Sequence, residues 1–229
     1  MPLDLASLSF PGLTAPRRRA TAALMRLSGT RSAAAALKLG PTQAHELERN
    51  RMLDTAPTMP ALDRFDGVLF EGLGAATLTP RARIFAGDHL AIGSALFGVV
   101  RAEDRIPAYR LSPDSQLPRL PLKALWATPL SAVLSAEPGM ILDLRSEAYA
   151  ALGPRPLRPE SWYLRVVSEG VDGRRRALNH FNKKGKGEFT RALLEAAIDH
   201  PDAGSLLAWA STVGIRLEAS GDHELTLVV

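Results

Sequence analysis

Lys183, Lys184 and Lys186 fall within four positions, interleaved with Gly185 and Gly187. The chain carries 28 basic residues, of which 23 are arginine and five are lysine, so three of its lysines are gathered in one place. A helix-like run, "EFTRALLEAA", follows them. A glycine-containing basic loop that opens into a helix sets backbone N–H groups, a positive helix end and ammonium groups side by side, an arrangement that binds phosphate. Arg191, inside the helical run, belongs to the same candidate site. Lysine is also the basic side chain whose pKa burial lowers most readily, which makes an acid–base or nucleophilic role chemically accessible. The GxxxxGK[ST] pattern is absent, so this is not the common nucleotide-binding loop. The competing reading is a solvated loop between a hairpin and a helix.

Three other stretches could do chemistry. In "SALFGVVRAEDRIPAYR", 94–110, Ser94 and Gly98 lie in a strand-to-turn passage, and Arg101, Asp104, Tyr109 and Arg110 supply charge and aromatic surface. The plain alternative pairs Arg101 with Asp104 at the surface and puts Tyr109 at a core edge. In "LDLRSEAY", 142–149, Ser146 opens a helix at a strand end, where open α/β sheets bind ligands, although a serine there is more often only a cap. In "LKLGPTQAHEL", 37–47, a glycine break between helices resembles a helix-hairpin-helix, whose turn offers backbone N–H groups to a DNA phosphate. Gly40 and Thr42 would supply them. The five histidines are scattered without ligand spacing, and no GxSxG elbow occurs, so neither a metal site, a cofactor nor a nucleophilic hydrolase is expected.

These residues must be positioned by the surrounding elements. Apolar residues at Ala20, Ala23, Leu24 and Leu27 repeat at helical spacing. Breaks at Gly29 and Gly40, with Thr30 and Thr42 as caps, predict two further short helices to about Asn50. Residues 51–60 read as a linker, and 62–75 mix helix and strand signals. Thr79 and Pro80 open a helix. "HLAIGSALFGVVR" predicts a buried strand, a turn and a short helix, and 113–121 an irregular proline-rich stretch. A helix kinked at Pro129 follows, then a strand–turn–helix, a hairpin turning at 170–173, the lysine loop, two helices and a terminal hairpin. The order is not strictly βαβ. A single mixed α/β (α+β) domain spanning 1–229 is expected, with a helical hairpin subdomain at 16–50 and a mixed-sheet body at 61–229.

Composition sets the outer limits. Apolar residues make up 46% and charged residues 23%, which is the balance of a globular protein. Cysteine is absent, which excludes disulfides and thiolate chemistry. There is no long uncharged apolar run and no secretory-type N-terminus, so a cytoplasmic location is expected and no membrane partner. A net charge of +4 is a mild field, and its local concentrations are "PRRR" at 16–19, "GRRR" at 173–176 and the lysines.

Taken in order, four segments resemble the YaaA family of bacterial peroxide-stress proteins, also called UPF0246 or DUF328. "SALFGVVRAEDRIPAYRL" is close to that family's Ser-Gly-Leu-Tyr-Gly-Val-Leu-Arg segment followed by Asp and Tyr-Arg-Leu. "GVLFEGL" at 67–73 is similar to its Gly-Asp-Val-Tyr-x-Gly-Leu. "LDLRSEAY" is similar to its Asn-Leu-Ala-Ser-x-Glu-Tyr, with Asp143 in place of Asn. "HFNKKGKG" is similar to its Lys-Lys-x-Arg-Gly segment, with Lys186 in place of Arg. The resemblance implies a mixed α/β fold, a positively charged cleft, a helix-hairpin-helix element and binding of duplex or branched DNA. It also implies a part in limiting iron-dependent peroxide damage, here expected to be indirect. The family opens with a short apolar strand that this chain is expected to lack.

The function expected from the sequence is therefore non-enzymatic DNA binding by shape and phosphate contacts. Lys183, Lys184, Lys186, Arg191, Arg101 and Arg110 would line one cleft, and the 37–47 turn would add backbone contacts. The alternative is an enzyme acting on a nucleotide or nucleic-acid base through a pocket of Ser94, Tyr109, Ser146, Asn182 and Lys183.

Overall fold

The computed structural model describes residues 1–169, 175–176 and 179–229, excepting the side chains of 175–176 and 179–181. In the first half lie α1 (Thr14–Ser28), α2 (Ala33–Ala36), α3 (His45–Arg51), β1 (Met59–Pro60), α4 (Ala61–Arg64), α5 (Val68–Leu73), α6 (Pro80–His89), β2 (Ala91–Ser94), β3 (Gly98–Arg101) and β4 (Arg105–Ile106). Then follow α7 (Leu122–Ala136), β5 (Ile141–Asp143), α8 (Glu147–Ala150), β6 (Ser161–Glu169), β7 (Arg175–Arg176), α9 (Asn179–Ala196), α10 (Ala203–Thr212), β8 (Leu217–Gly221) and β9 (Glu224–Val228). Helices and mixed sheets together make the expected α/β fold.

The elements gather into two compact units. The first comprises Met1–Arg64, Gly87–Ala136 and Arg145–Arg155. Its centre is the β2–β3 hairpin, paired antiparallel from Ala91↔Arg101 to Ser94↔Gly98. The apolar run 90–101 is thus strand, turn and strand, which corrects the expected short helix. Gly98 explains the choice: its φ is 77°, and a Cβ there would lie 2.9 Å from the ring of Trp126 on α7. Trp126, fully buried, donates its indole N–H to the Ala95 carbonyl at 2.9 Å and pins the turn to α7. Helix α1 lays Ala20, Leu24 and Leu27 into the same core. Its Arg17 is fully buried, with Nε donating to Phe97 O at 3.0 Å and Nη2 to Val99 O at 2.7 Å.

The short helices after α1 differ from the expected hairpin. Helix α2 is a single turn, and the left-handed residue beyond it is Lys38, at φ 53°, rather than Gly40. Thr42 sits inside a 3-10 turn, Pro41–Gln43, and caps neither that turn nor α3. The N–H of Gly40 is taken by Gln43 Oε1 at 2.9 Å.

The second unit comprises Phe65–Ala86, Glu137–Leu144 and Pro156–Val229. Its sheet runs β5-β6-β9-β8, with β5 and β9 parallel to β6 and β8 antiparallel to β9. β7 pairs antiparallel with the far end of β6, so the expected hairpin forms, while its turn at 170–173 lies outside the described residues. Along β6, Leu164 and Val166 are buried and Arg165 is exposed, the alternation of a strand with one covered face. Those two residues form the core with Phe189 of α9, Leu206 of α10, and Leu225 and Leu227 of β9. The Thr79 and Pro80 start of α6 is as predicted, with Thr79 Oγ1 accepting from Ala82 N at 3.2 Å. Asp202 caps α10 through Ser205 N at 2.8 Å.

The lysine stretch gives the main correction. It is not a loop: Lys183, Lys184 and Lys186 all lie within the 18-residue helix α9. Glycine lowers helix propensity, which favoured the loop reading, but tertiary packing overrides propensity here. A Cβ on Gly187 would collide with the carbonyl oxygen of Leu69, and one on Gly72 would lie 2.7 Å from Lys184 O. Helices α5 and α9 therefore cross with their backbones nearly touching, at a glycine from each. On another side of α9, a Cβ on Gly185 would come within 2.9 Å of Val229 Cγ1.

Candidate functional site

With its glycines packed inward, α9 sorts the three lysines by position. Lys183 and Lys184 are exposed. Lys184 makes an i,i+4 ion pair with Glu188 at 3.4 Å. Lys186 is instead withdrawn to 9% exposure. Its Nζ donates to the Leu144 carbonyl at 2.8 Å and lies 5.3 Å from the centre of the Tyr163 ring. Buried Asp143, at the end of β5, is a charge neighbour. Burial lowers the Lys186 pKa to about 8; the Asp143 carboxylate opposes that shift and Arg165 adds to it. At pH 7 such an amine is neutral in about a tenth of molecules, against far fewer than one in a thousand at the ordinary value. A neutral fraction of that size is enough for a general base or a nucleophile.

Asn182 lies one helical turn before Lys186, on the same side of α9. Its Oδ1 is buried and accepts no hydrogen bond among the described residues. A buried acceptor left without a donor costs about 1–3 kcal/mol, so this position is suited to receive an N–H or O–H from a bound molecule. Arg191 is used differently. Its Nη1 donates to Leu73 O at 3.0 Å, Gly74 O at 2.9 Å and Thr77 Oγ1 at 2.9 Å, and its Nη2 to Thr77 O at 2.9 Å and Glu195 at 3.2 Å. That guanidinium closes the C-terminal end of α5, whose last carbonyls have no helical partner.

The first unit holds the other cluster. Ser94, fully buried, accepts from Leu96 N at 3.2 Å and Phe97 N at 2.8 Å, and its hydroxyl lies 2.7 Å from Tyr109 OH. With both lone pairs engaged by N–H groups, the Ser94 proton points to the tyrosine oxygen. Burial raises the pKa of Tyr109, with the Tyr149 hydroxyl adding to the effect, so Tyr109 stays a phenol. Tyr149 is raised by burial as well, while Arg110 pulls it down. Exposed Arg110 is held by buried Asn50, which bonds its N–H at 2.8 Å and its carbonyl at 2.9 Å. Gly93 leaves room for Arg145 and Tyr149, since a Cβ there would sit 3.1 Å and 3.8 Å from their side chains.

The remaining predicted residues fall outside these clusters. Arg101 stacks over Phe10 at 5.0 Å and donates to Asp88 O at 3.0 Å. Asp104 binds backbone and hydroxyl groups of Ser9 and the Arg101 N–H, so it ties a turn to the N-terminal segment. Ser146 occupies the N-cap of α8 without a capping bond from its hydroxyl. Gly40 and Thr42 belong to the 3-10 turn already described. Among the described residues no group of three His, Asp or Glu side chains is placed to hold a metal ion.

The structure thus joins Ser94 with Tyr109 and Arg110 in one unit, and Asn182 with Lys186 in the other. Sequence reading missed Asp143, Tyr163, Tyr149 and Asn50. Asp143 and Tyr149 lay inside a segment already singled out. Asn50 and Tyr163 carried no local signal, because each acts on a residue far away in the chain.

Comparison with known proteins agrees with this picture. The family model described as "Peroxide stress protein YaaA" matches residues 4–211. A UPF0246 protein of Corynebacterium glutamicum strain R is 41% identical over 235 aligned positions, which cover 100% of this chain and 93% of that protein. A UPF0246 protein of Corynebacterium efficiens is 42% identical over 100% of this chain and 93% of its own. A UPF0246 protein of Streptomyces coelicolor is 36% identical over 95% of this chain and 85% of its own length. The match runs through both units, and the chain belongs to the YaaA family of peroxide stress proteins.

Proposed function

We propose that this protein binds duplex or branched DNA in the cytoplasm during peroxide stress and limits iron-dependent damage indirectly. Binding is by phosphate contact and DNA shape rather than base sequence. The observation that carries the reading is the orientation of α9. Gly185 and Gly187 face inward, which presents Lys183 and Lys184 outward on a rigid helix. Arg110, exposed and held in place by Asn50, is a further candidate contact in the other unit. Lys186 is too withdrawn to act as a simple phosphate contact. Phosphate contacts release counterions, so affinity falls steeply with salt.

A gel-shift series with a short duplex tests this. Lys183→Gln/Lys184→Gln is expected to weaken binding about tenfold at moderate salt and to flatten the salt slope by roughly two. No binding at low salt, or an unchanged affinity in the double variant, removes the reading.

One observation favours a second reading, an enzyme acting on a nucleotide or base. Lys186 has a lowered pKa beside Asp143, one turn from the orphaned Asn182 oxygen. Strong thermal stabilisation by a single nucleoside or base, lost in Lys186→Met, supports that pocket. A flat screen counts against it.

A further inference from the structure

The proposed function leaves the "PRRR" stretch unused. Helix α1 divides its arginines between two sides. Arg17 enters the core, whereas Arg18, Arg19 and Arg26 are exposed and line a groove of about 600 Å³. Arg119 lines it too, from the proline-rich segment, and the apolar surface within it comes from Ala22, Pro118 and Leu120.

The charge in this groove is uncompensated. None of the four arginine side chains makes a hydrogen bond or ion pair among the described residues. Several other surface arginines find acids: Arg49 with Glu46, Arg51 with Glu48, Arg165 with Glu224 and Arg216 with Glu169. Helix α1 contains no acidic residue, and Asp114, the one acid of segment 113–121, is bound to Lys38 at 2.6 Å.

Arg119, at φ 60°, is the third residue of a turn closed by the Leu120 N–H donating to Leu117 O at 3.0 Å, with Leu117 and Leu120 buried, so its side chain is carried on an anchored turn beside the groove.

We infer that the groove between α1 and segment 118–120 binds a small, multiply phosphorylated anion of the nucleoside polyphosphate type. Guanidinium groups grip phosphate oxygens with two parallel N–H bonds. Arg18 and Arg26 stand about 12 Å apart along the helix, a span that long side chains can close around a polyphosphate. The apolar surface of Ala22, Pro118 and Leu120 accepts the nucleoside. A recess of this kind suits a compact ligand better than a duplex. The site lies in a different unit from α9, and the inference does not depend on the DNA reading.

Isothermal titration of the full chain with ATP, tripolyphosphate and adenosine, at about 0.1 M salt, tests the inference. ATP should bind the wild type, and Arg18→Gln/Arg26→Gln/Arg119→Gln should weaken it by at least about 30-fold. Arg49→Gln/Arg51→Gln/Arg216→Gln removes the same charge elsewhere and should bind as the wild type does. Tripolyphosphate should bind more weakly than ATP, and adenosine not at all. The three arginines are exposed, so the variant should melt like the wild type; if it melts early, Arg26→Gln alone, still weakening ATP, serves instead. No ATP binding, equal ATP affinity in the groove variant, or equal loss in the charge control overturns the inference. Tripolyphosphate binding as tightly as ATP overturns its nucleoside part. Displacement of ATP by a short duplex at lower concentration reassigns the groove to DNA. Loss of duplex binding in Lys183→Gln/Lys184→Gln with ATP binding intact leaves the groove standing.

Discussion

Arg17 and Lys186 are both buried cations on helices, one in each unit, and both donate to backbone carbonyls. Burial lowers the pKa of both, with very different consequences. The Arg17 guanidinium falls to about 10 and stays charged at neutral pH, so it is a fixed clamp between α1 and the β2–β3 hairpin. The Lys186 ammonium falls to about 8 and comes within reach of physiological titration. The two fall by a similar amount, and the difference lies in where they start, a delocalised guanidinium at 12.5 and an ammonium at 10.5. Two buried cations of similar placement are thus a structural tie in one unit and a titratable group in the other.

Four changes would sharpen or break that contrast. The largest effect is expected from Gly187→Ala, which forces a methyl into the Leu69 carbonyl and pries α5 from α9. A loss of at least about 4 kcal/mol is expected in urea melts, with the Lys186 environment lost too. Next comes Arg17→Leu, which strands the Phe97 and Val99 carbonyls and should cost about 3 kcal/mol at any pH below 10. A strongly pH-dependent loss there would erase the distinction between clamp and titrating group.

The third change concerns Lys186 itself. Its folded pKa, about 8, lies below the ordinary 10.5, so between those values the unfolded chain holds a proton that the folded chain has released. Stability from this group therefore rises as pH increases from about 8 to about 10.5, by at most about 3 kcal/mol. Tyr109, raised on folding, acts in the opposite sense at the upper end of that range. The difference between wild type and Lys186→Met isolates the lysine, and a difference that does not change over that window contradicts the assignment. The smallest effect belongs to Lys184→Gln, which breaks an exposed pair with Glu188 and should alter stability by less than about 0.5 kcal/mol. A larger loss would mean that Lys184 is held in the structure as Lys186 is.

The sequence made the local elements legible where local rules govern. Thr79 and Pro80 opened α6, the apolar period of α1 held, and the terminal hairpin of β8 and β9 formed as expected. It misled where partners were distant. Gly185 and Gly187 read as loop residues because only the neighbouring α5 and Val229 reveal why glycine is required there. Gly98 belonged to a hairpin because of Trp126, 28 positions on.

By itself, the sequence determined the family, the mixed α/β class and the residues able to do chemistry, because composition, periodicity and motif order are properties of the chain. Tertiary structure decided which of those residues act together. It withdrew Lys186 beside Asp143, joined Ser94 to Tyr109, and committed Arg191 to the end of α5. It also left Arg18, Arg19 and Arg26 of α1 facing a groove with no acidic partner among the described residues. Burial and pairing are relations between distant residues, and they come to exist only when the chain has folded.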